Sequence, residues 1–355
     1  MRQNADAHNR SDKRNIGIDL LRLFFAIVVV VHHIYGSQIH NEINYGYLAV
    51  EFFFFVSGYY IIQNDCEKDT VHYLLRLMKK LLPIVISAQI VFVTFELLYF
   101  EHDLSDYPSI LFYSLFQALG LQTLGFPIYN MNDVLWFISA YFFVSSFIYA
   151  IMRRYGKQVI IDLLPISCGL IGLIYLFCGN IIGIWSHDFY NQWLLLRSFC
   201  DFNFGILAYV ITSGLSRIKF KESGRHLMIA ITIMVSLIIG IFMFLPFEHT
   251  YVEIVLFGLI WALLVLVMMI DQWVKWPAVI EKVSIYAPTV SILLFLSHFY
   301  WCSNITRIMT DCDTFTSIVC IVSLILATAV ISLIMSKIIK RACNLIKETV
   351  IDCTS

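Results

Sequence analysis

Arg22 and His33 stand in "NIGIDLLRLFFAIVVVVHHIYG", residues 15–36, an apolar run long enough to cross a bilayer. An arginine at the centre of a membrane helix costs about 2.5–3.5 kcal/mol on insertion scales, so one that is retained faces a cavity or a partner and marks function. Arg22 lies about two turns from the start of the run, where a long side chain also has the option of snorkelling to the headgroups. His33 follows eleven residues later. That spacing is just over three helical turns, so the two side chains share one face about 16 Å apart, while His32 points roughly 100° away. A guanidinium suits a phosphate or a polarised carbonyl, and an imidazole takes a proton from a hydroxyl near neutral pH. By this geometry the two can line one shaft through the membrane.

Other polar residues fall at the depth of His33. Glu51 stands in "VEFFFFVSGYYI"; Asn132, Asp133 and Trp136 in "NDVLWFISAYF"; Arg197 and Asp201 in "LRSFCDFNFGIL"; His298 in "LSHFYW". Singly, each has an ordinary explanation: Trp136 as an interfacial anchor, Asp133 as a helix N-cap, His298 as a satisfied core histidine. Five spans converging on one level point instead to a site. Glu51 near His33 is expected to fix the tautomer of the imidazole or stabilise its cation. At the opposite end, Arg76, Lys79 and Lys80 in "RLMKKLLP" form either a basic flank or a phosphate-binding rim beside the mouth of the Arg22 shaft.

The elements that must position these residues are membrane helices. The chain has 355 residues, 59% hydrophobic and 14% charged, where soluble domains have about 45–50% apolar and about 25% charged residues. Candidate spans are 16–36, 46–63, 81–100, 132–152, 159–178, 193–213, 226–246, 251–270, 284–304 and 315–336, giving an all-α polytopic protein with about ten transmembrane helices. A shorter apolar stretch at 109–124 decides the topology. If it does not cross, 21 of the 24 Lys and Arg residues, including Arg153, Arg154 and Lys157, fall on one side, which the positive-inside rule makes cytoplasmic. The expected organisation is then a cytoplasmic tail (1–15), a transmembrane domain (16–336) and a second cytoplasmic tail (337–355). The first apolar run is too long for a signal-peptide core and reads as a retained helix. Scattered basic residues give no nucleic-acid stripe, and nine cysteines show no CxxC or zinc-ligand spacing, so no metal is expected.

Taken together, these stretches resemble the acyltransferase-3 family of membrane acyltransferases. "GIDLLR" with Arg22-x10-His33 is similar to the family's R-x10-H signature, "VEFFFFVSGYYI" to its G-V-D/E-x-F-F-V-L-S-G-F segment, and "RLMKKLLP" to R-x-x-R-I-L-P. "LWFISAYF", "LRSFCDFNFGIL" and "LSHFYW" resemble its LWFL, R-x-x-x-F-x-x-G and Y-L-x-H elements. Ala49 replaces the usual glycine, Leu77 a usual basic residue and Lys80 the usual arginine, and a standalone member without an SGNH domain is expected. The resemblance implies an acyl-CoA donor, usually acetyl-CoA, used at the cytoplasmic side, with no permanently bound cofactor. It implies a hydroxyl acceptor on a surface polysaccharide, lipopolysaccharide or lipid-linked oligosaccharide, and a bacterial plasma membrane location. His33 is expected as general base with Glu51 and Arg22 catalytic. Donor binding is expected at Arg22, Arg76, Lys79 and Lys80, and acceptor binding at Trp136, Asp133, Arg197 and His298. A transporter or flippase for a lipid-linked glycan is the alternative that intramembrane charge also permits.

Overall fold

A computed structural model describes residues 14–38, 45–124, 131–178, 190–244, 250–271, 273–309 and 312–354. The described residues form thirteen α-helices: α1 (Ile16–Gln38), α2 (Ala49–Ile61), α3 (Thr70–Tyr99), α4 (Tyr107–Ala118), α5 (Leu135–Tyr155), α6 (Lys157–Asp162), α7 (Leu164–Cys178), α8 (Tyr190–Leu215), α9 (Glu222–Phe244), α10 (Thr250–Ile270), α11 (Ala278–Ser297), α12 (Phe299–Ile308) and α13 (Thr314–Thr354). Among the described residues, nine helical segments are long and apolar enough to cross a membrane. The tenth expected span is α2, whose thirteen residues extend only about 20 Å. A 3-10 turn at Tyr45–Leu48 lengthens it at its N-terminal end.

Helix α3 starts at Thr70, well before the expected 81. "VHYLLRLMKK" is rich in helix formers and continues the helix inward from the bilayer, with Asp69 as its N-cap accepting from the His72 N–H at 2.7 Å. Pro83 lies inside the helix without ending it. Helix α13 likewise runs on through the segment expected as a C-terminal tail.

Hydrogen bonds and ring contacts gather the basic segments at one end of the bundle. The Gly17 N–H and the Trp276 indole both donate to Asp271 at 3.1 Å, Arg225 lies over Trp273, Arg22 over Tyr60, and the Tyr149 hydroxyl donates to the Lys68 carbonyl at 3.0 Å. Arg153 is thus at the same end as Lys68, and α3 and α5 both have their other ends at the opposite level. The intervening α4 is a twelve-residue helix, about 18 Å long, which agrees with the expectation that 109–124 does not cross.

The close pair at the centre is α2 with α8, and two glycines permit it. A Cβ on Gly58 would stand 1.9 Å from the Phe202 carbonyl oxygen, and one on Gly205 would stand 2.0 Å from that of Phe55. The two helices run parallel with their backbones in contact, as small residues allow in membrane proteins. Around this pair packs a core rich in phenylalanine: Phe25, Phe52, Phe54, Phe55 and Phe202 are fully buried.

Candidate active site

The end opposite the basic segments carries one connected polar level. His33 is near the C-terminal end of α1, and its ring centroid lies 5.0 Å from that of His298, with Phe299 closing edge-on at 5.1 Å. His298 is fully buried at the junction between α11 and α12. The last turn of a helix leaves carbonyls without backbone partners, and two side chains satisfy them here. The His298 Nδ1 lies 3.1 Å from the Leu294 carbonyl, and the Asn132 amide donates to the Leu296 carbonyl at 2.9 Å.

Glu51 is placed differently from expectation. Its carboxylate accepts from both Nε and Nη2 of Arg197, the Nε contact at 2.8 Å, and both side chains are buried. The group beside His33 is therefore another imidazole, and Glu51 is held on the α2–α8 pair. Parallel packing through Gly58 and Gly205 brings Glu51 and Arg197 level with each other. Arg197 also lies over the Trp136 ring, 5.3 Å from its centroid, so Trp136 is buried against a cation instead of anchoring in the lipid interface. Asp201, one turn further along α8, lies against Glu51. Asp133 does not cap its helix; it accepts from Gln122 at 3.3 Å.

The structure joins His33 to His298 and Glu51 to Arg197 and Trp136, so the partner of His33 differs from the expected one. Two participants had no sequence signal beyond polarity. Glu253, buried at the start of α10, accepts from the Tyr47 hydroxyl at 2.6 Å, with Tyr175 close by. Glu96, buried on α3, accepts from the Tyr300 hydroxyl at 2.6 Å and lies 3.1 Å from His102 and 3.7 Å from Arg307. An acidic residue inside an apolar run was the only available sign of either. His32 stands edge-on both to His33, at 5.0 Å, and to Tyr47, at 5.7 Å.

At the basic end, Arg22 donates to Asp19 at 3.0 Å, and Arg14 donates to the other oxygen of the same carboxylate. The Arg22 side chain is 29% exposed, partly buried as its depth predicts. Arg22 and Arg76 both lie within electrostatic reach of Tyr141, and Arg76 stands over Tyr73 at 5.4 Å. Lys79 and Lys80, one turn on from Arg76 and on the same helix face, are exposed. Between the two ends the rings form a path: Tyr141 to Phe137 at 6.4 Å, Phe137 to Phe295 at 5.3 Å, Phe295 to His298 at 6.0 Å, and His298 to His33. Among the described residues no group of His, Cys, Asp and Glu has the arrangement of a metal site.

This arrangement suits acyl transfer. Cationic groups at one end can hold a phosphorylated donor, and an imidazole at the other can take a hydroxyl proton. Neither a curated protein nor a solved structure matches the chain. A family model does: the acyltransferase domain of the acyltransferase-3 family matches residues 15–337, from just before α1 into α13. The chain is therefore a multi-pass membrane protein that belongs to the acyltransferase-3 family of acyltransferases.

Proposed function

We propose that the protein is an O-acyltransferase of a bacterial plasma membrane, moving an acetyl group from acetyl-CoA on the cytoplasmic side to a hydroxyl of a surface glycan or its lipid-linked precursor. One observation carries the reading: the His33–His298 pair and the Arg22 and Arg76 side chains stand at opposite ends of one chain of ring contacts. The basic end is the cytoplasmic end by the positive-inside rule. Arg22 and Arg76 there receive the donor's anionic part, while the thioester reaches toward His33.

His33 then acts as general base. It takes the proton of the acceptor hydroxyl as that oxygen attacks the thioester carbonyl. The C–O bond forms, the C–S bond breaks, and the departing thiolate recovers the proton. Such assistance contributes about 100- to 10,000-fold in rate. Arg197, held by Glu51 and stacked on Trp136, supplies positive charge at the level where the tetrahedral oxyanion forms.

Mass spectrometry of surface glycans from cells with and without the gene tests the proposal and reports acceptor and acyl mass together. The reading expects one acyl modification to vanish on deletion and return on complementation. Unchanged acylation alongside accumulation of an unmodified lipid-linked glycan on the inner leaflet would favour a flippase and overturn it.

A further inference from the structure

We infer that His298 is the positioning residue for His33: its Nε2 lone pair accepts the ring N–H of His33 and turns the other His33 nitrogen toward the acceptor hydroxyl. The inference rests on His33 being the general base, and adds what orients it. In many acid–base sites a carboxylate does this, but Glu51, the one expected at this level, is paired with Arg197, and the rings next to His33 are imidazoles.

The tautomer of His298 follows from its partner. A carbonyl oxygen only accepts, so the His298 Nδ1 that faces Leu294 at 3.1 Å must carry the proton. A neutral imidazole protonated at Nδ1 has a lone pair at Nε2. That Nε2 is fully buried and has no hydrogen-bond partner. An unsatisfied buried acceptor is costly, and the ring facing it, centroid to centroid at 5.0 Å and tilted by 38°, is His33. A small rotation of His33 about its side chain brings an N–H onto Nε2. His298 itself is fixed, because the Leu294 bond and the Asn132 amide on the Leu296 carbonyl pin the helix end that carries it. The resulting chain runs from the Leu294 carbonyl through His298 to His33 and then to the substrate hydroxyl. His32 lies at the same 5.0 Å from His33 but stands edge-on to it and to Tyr47, whereas His298 presents the unpartnered Nε2. The orienting role therefore falls to His298.

The test combines kinetics with a spectrum. His298→Ala is expected to lower kcat about 100-fold with the KM for acetyl-CoA unchanged, and His298→Gln, whose side-chain oxygen also accepts, to restore most of the loss. In the full-length wild-type protein in nanodiscs, 15N spectra of labelled histidines, assigned by loss of a signal in His298→Gln, should show His298 protonated at Nδ1 and hydrogen-bonded at Nε2. Protonation at Nε2, or a wild-type kcat in His298→Ala while His33→Ala is inactive, overturns the inference alone. Full activity in His33→Ala overturns the general-base reading beneath it. If His298→Ala does not insert, the His298→Gln kinetics and the wild-type spectrum decide.

Discussion

The ion pair on the α2–α8 crossing gives an asymmetric prediction about stability. Arg197 is buried with Glu51 on one side and Asp201 a turn away, both acidic groups lying in its field. Removing the guanidinium by Arg197→Met leaves two buried acidic groups without the cation between them. Breaking a buried pair in this way costs about 3–5 kcal/mol. Glu51→Gln is expected to be milder: Asp201 remains as counterion, and the loss is that of a charged hydrogen bond, about 1.5–3 kcal/mol. Because the residues touch, the double variant Glu51→Gln/Arg197→Met should cost less than the sum of the single losses, by about 0.5–3 kcal/mol. Reversible denaturant unfolding of the protein in bicelles, followed by tryptophan fluorescence, reads all three, and Trp136 lies against the changed group. Equal losses from the two single changes, with strict additivity in the double variant, would refute the charge balance described for this site.

Other consequences can be measured separately. Gly58→Ala forces a Cβ toward the Phe202 carbonyl oxygen, so it should cost at least about 1–3 kcal/mol as overpacking does and sharply reduce folded yield. Gly240→Ala, with nothing within 4 Å of the added atom, should be neutral or stabilising; the reverse order in a thermal-shift assay would contradict the crossing. A cysteine at Arg154 should resist a membrane-impermeant thiol reagent added outside intact cells, and rapid labelling there would reverse the topology. The His72 N–H beside Asp69 holds that carboxyl below the usual carboxylate range. Its capping contribution should therefore be complete above the unfolded value of about 3.9 and fade as pH falls through the lower folded value. Protection of the His72 amide from exchange should follow that course, whereas protection already lost near neutral pH would remove the cap.

Depth was legible in the sequence, and azimuth was not. Charge asymmetry and span length place His33, Glu51, Trp136, Arg197 and His298 at one level, because alternating helices bring their ends to common planes. Which of them touch depends on how helices are ordered around the bundle, and hydropathy carries no record of that. Depth made Glu51 the expected partner of His33; the backbone crossing at Gly58 and Gly205 commits Glu51 to Arg197 instead. Helix ends set by tertiary contact were equally hidden. The break at His298 has no glycine or proline to announce it, and the early start of α3 lies in a charged segment that hydropathy excludes from a span. The Arg22 to His33 face was readable from helical periodicity alone, because both residues belong to one uninterrupted helix.

The account turns on His33 passing an acyl group from a cytoplasmic thioester to an acceptor beyond it. Inside-out membrane vesicles from cells expressing the protein, supplied with radiolabelled acetyl-CoA and retaining their own glycan acceptors, measure that transfer directly. The predicted result is label in the glycan for wild type and for His32→Ala, and none above background for His33→Ala at equal membrane abundance. Incorporation by His33→Ala at the wild-type rate, or equal loss from both histidine changes, would contradict it.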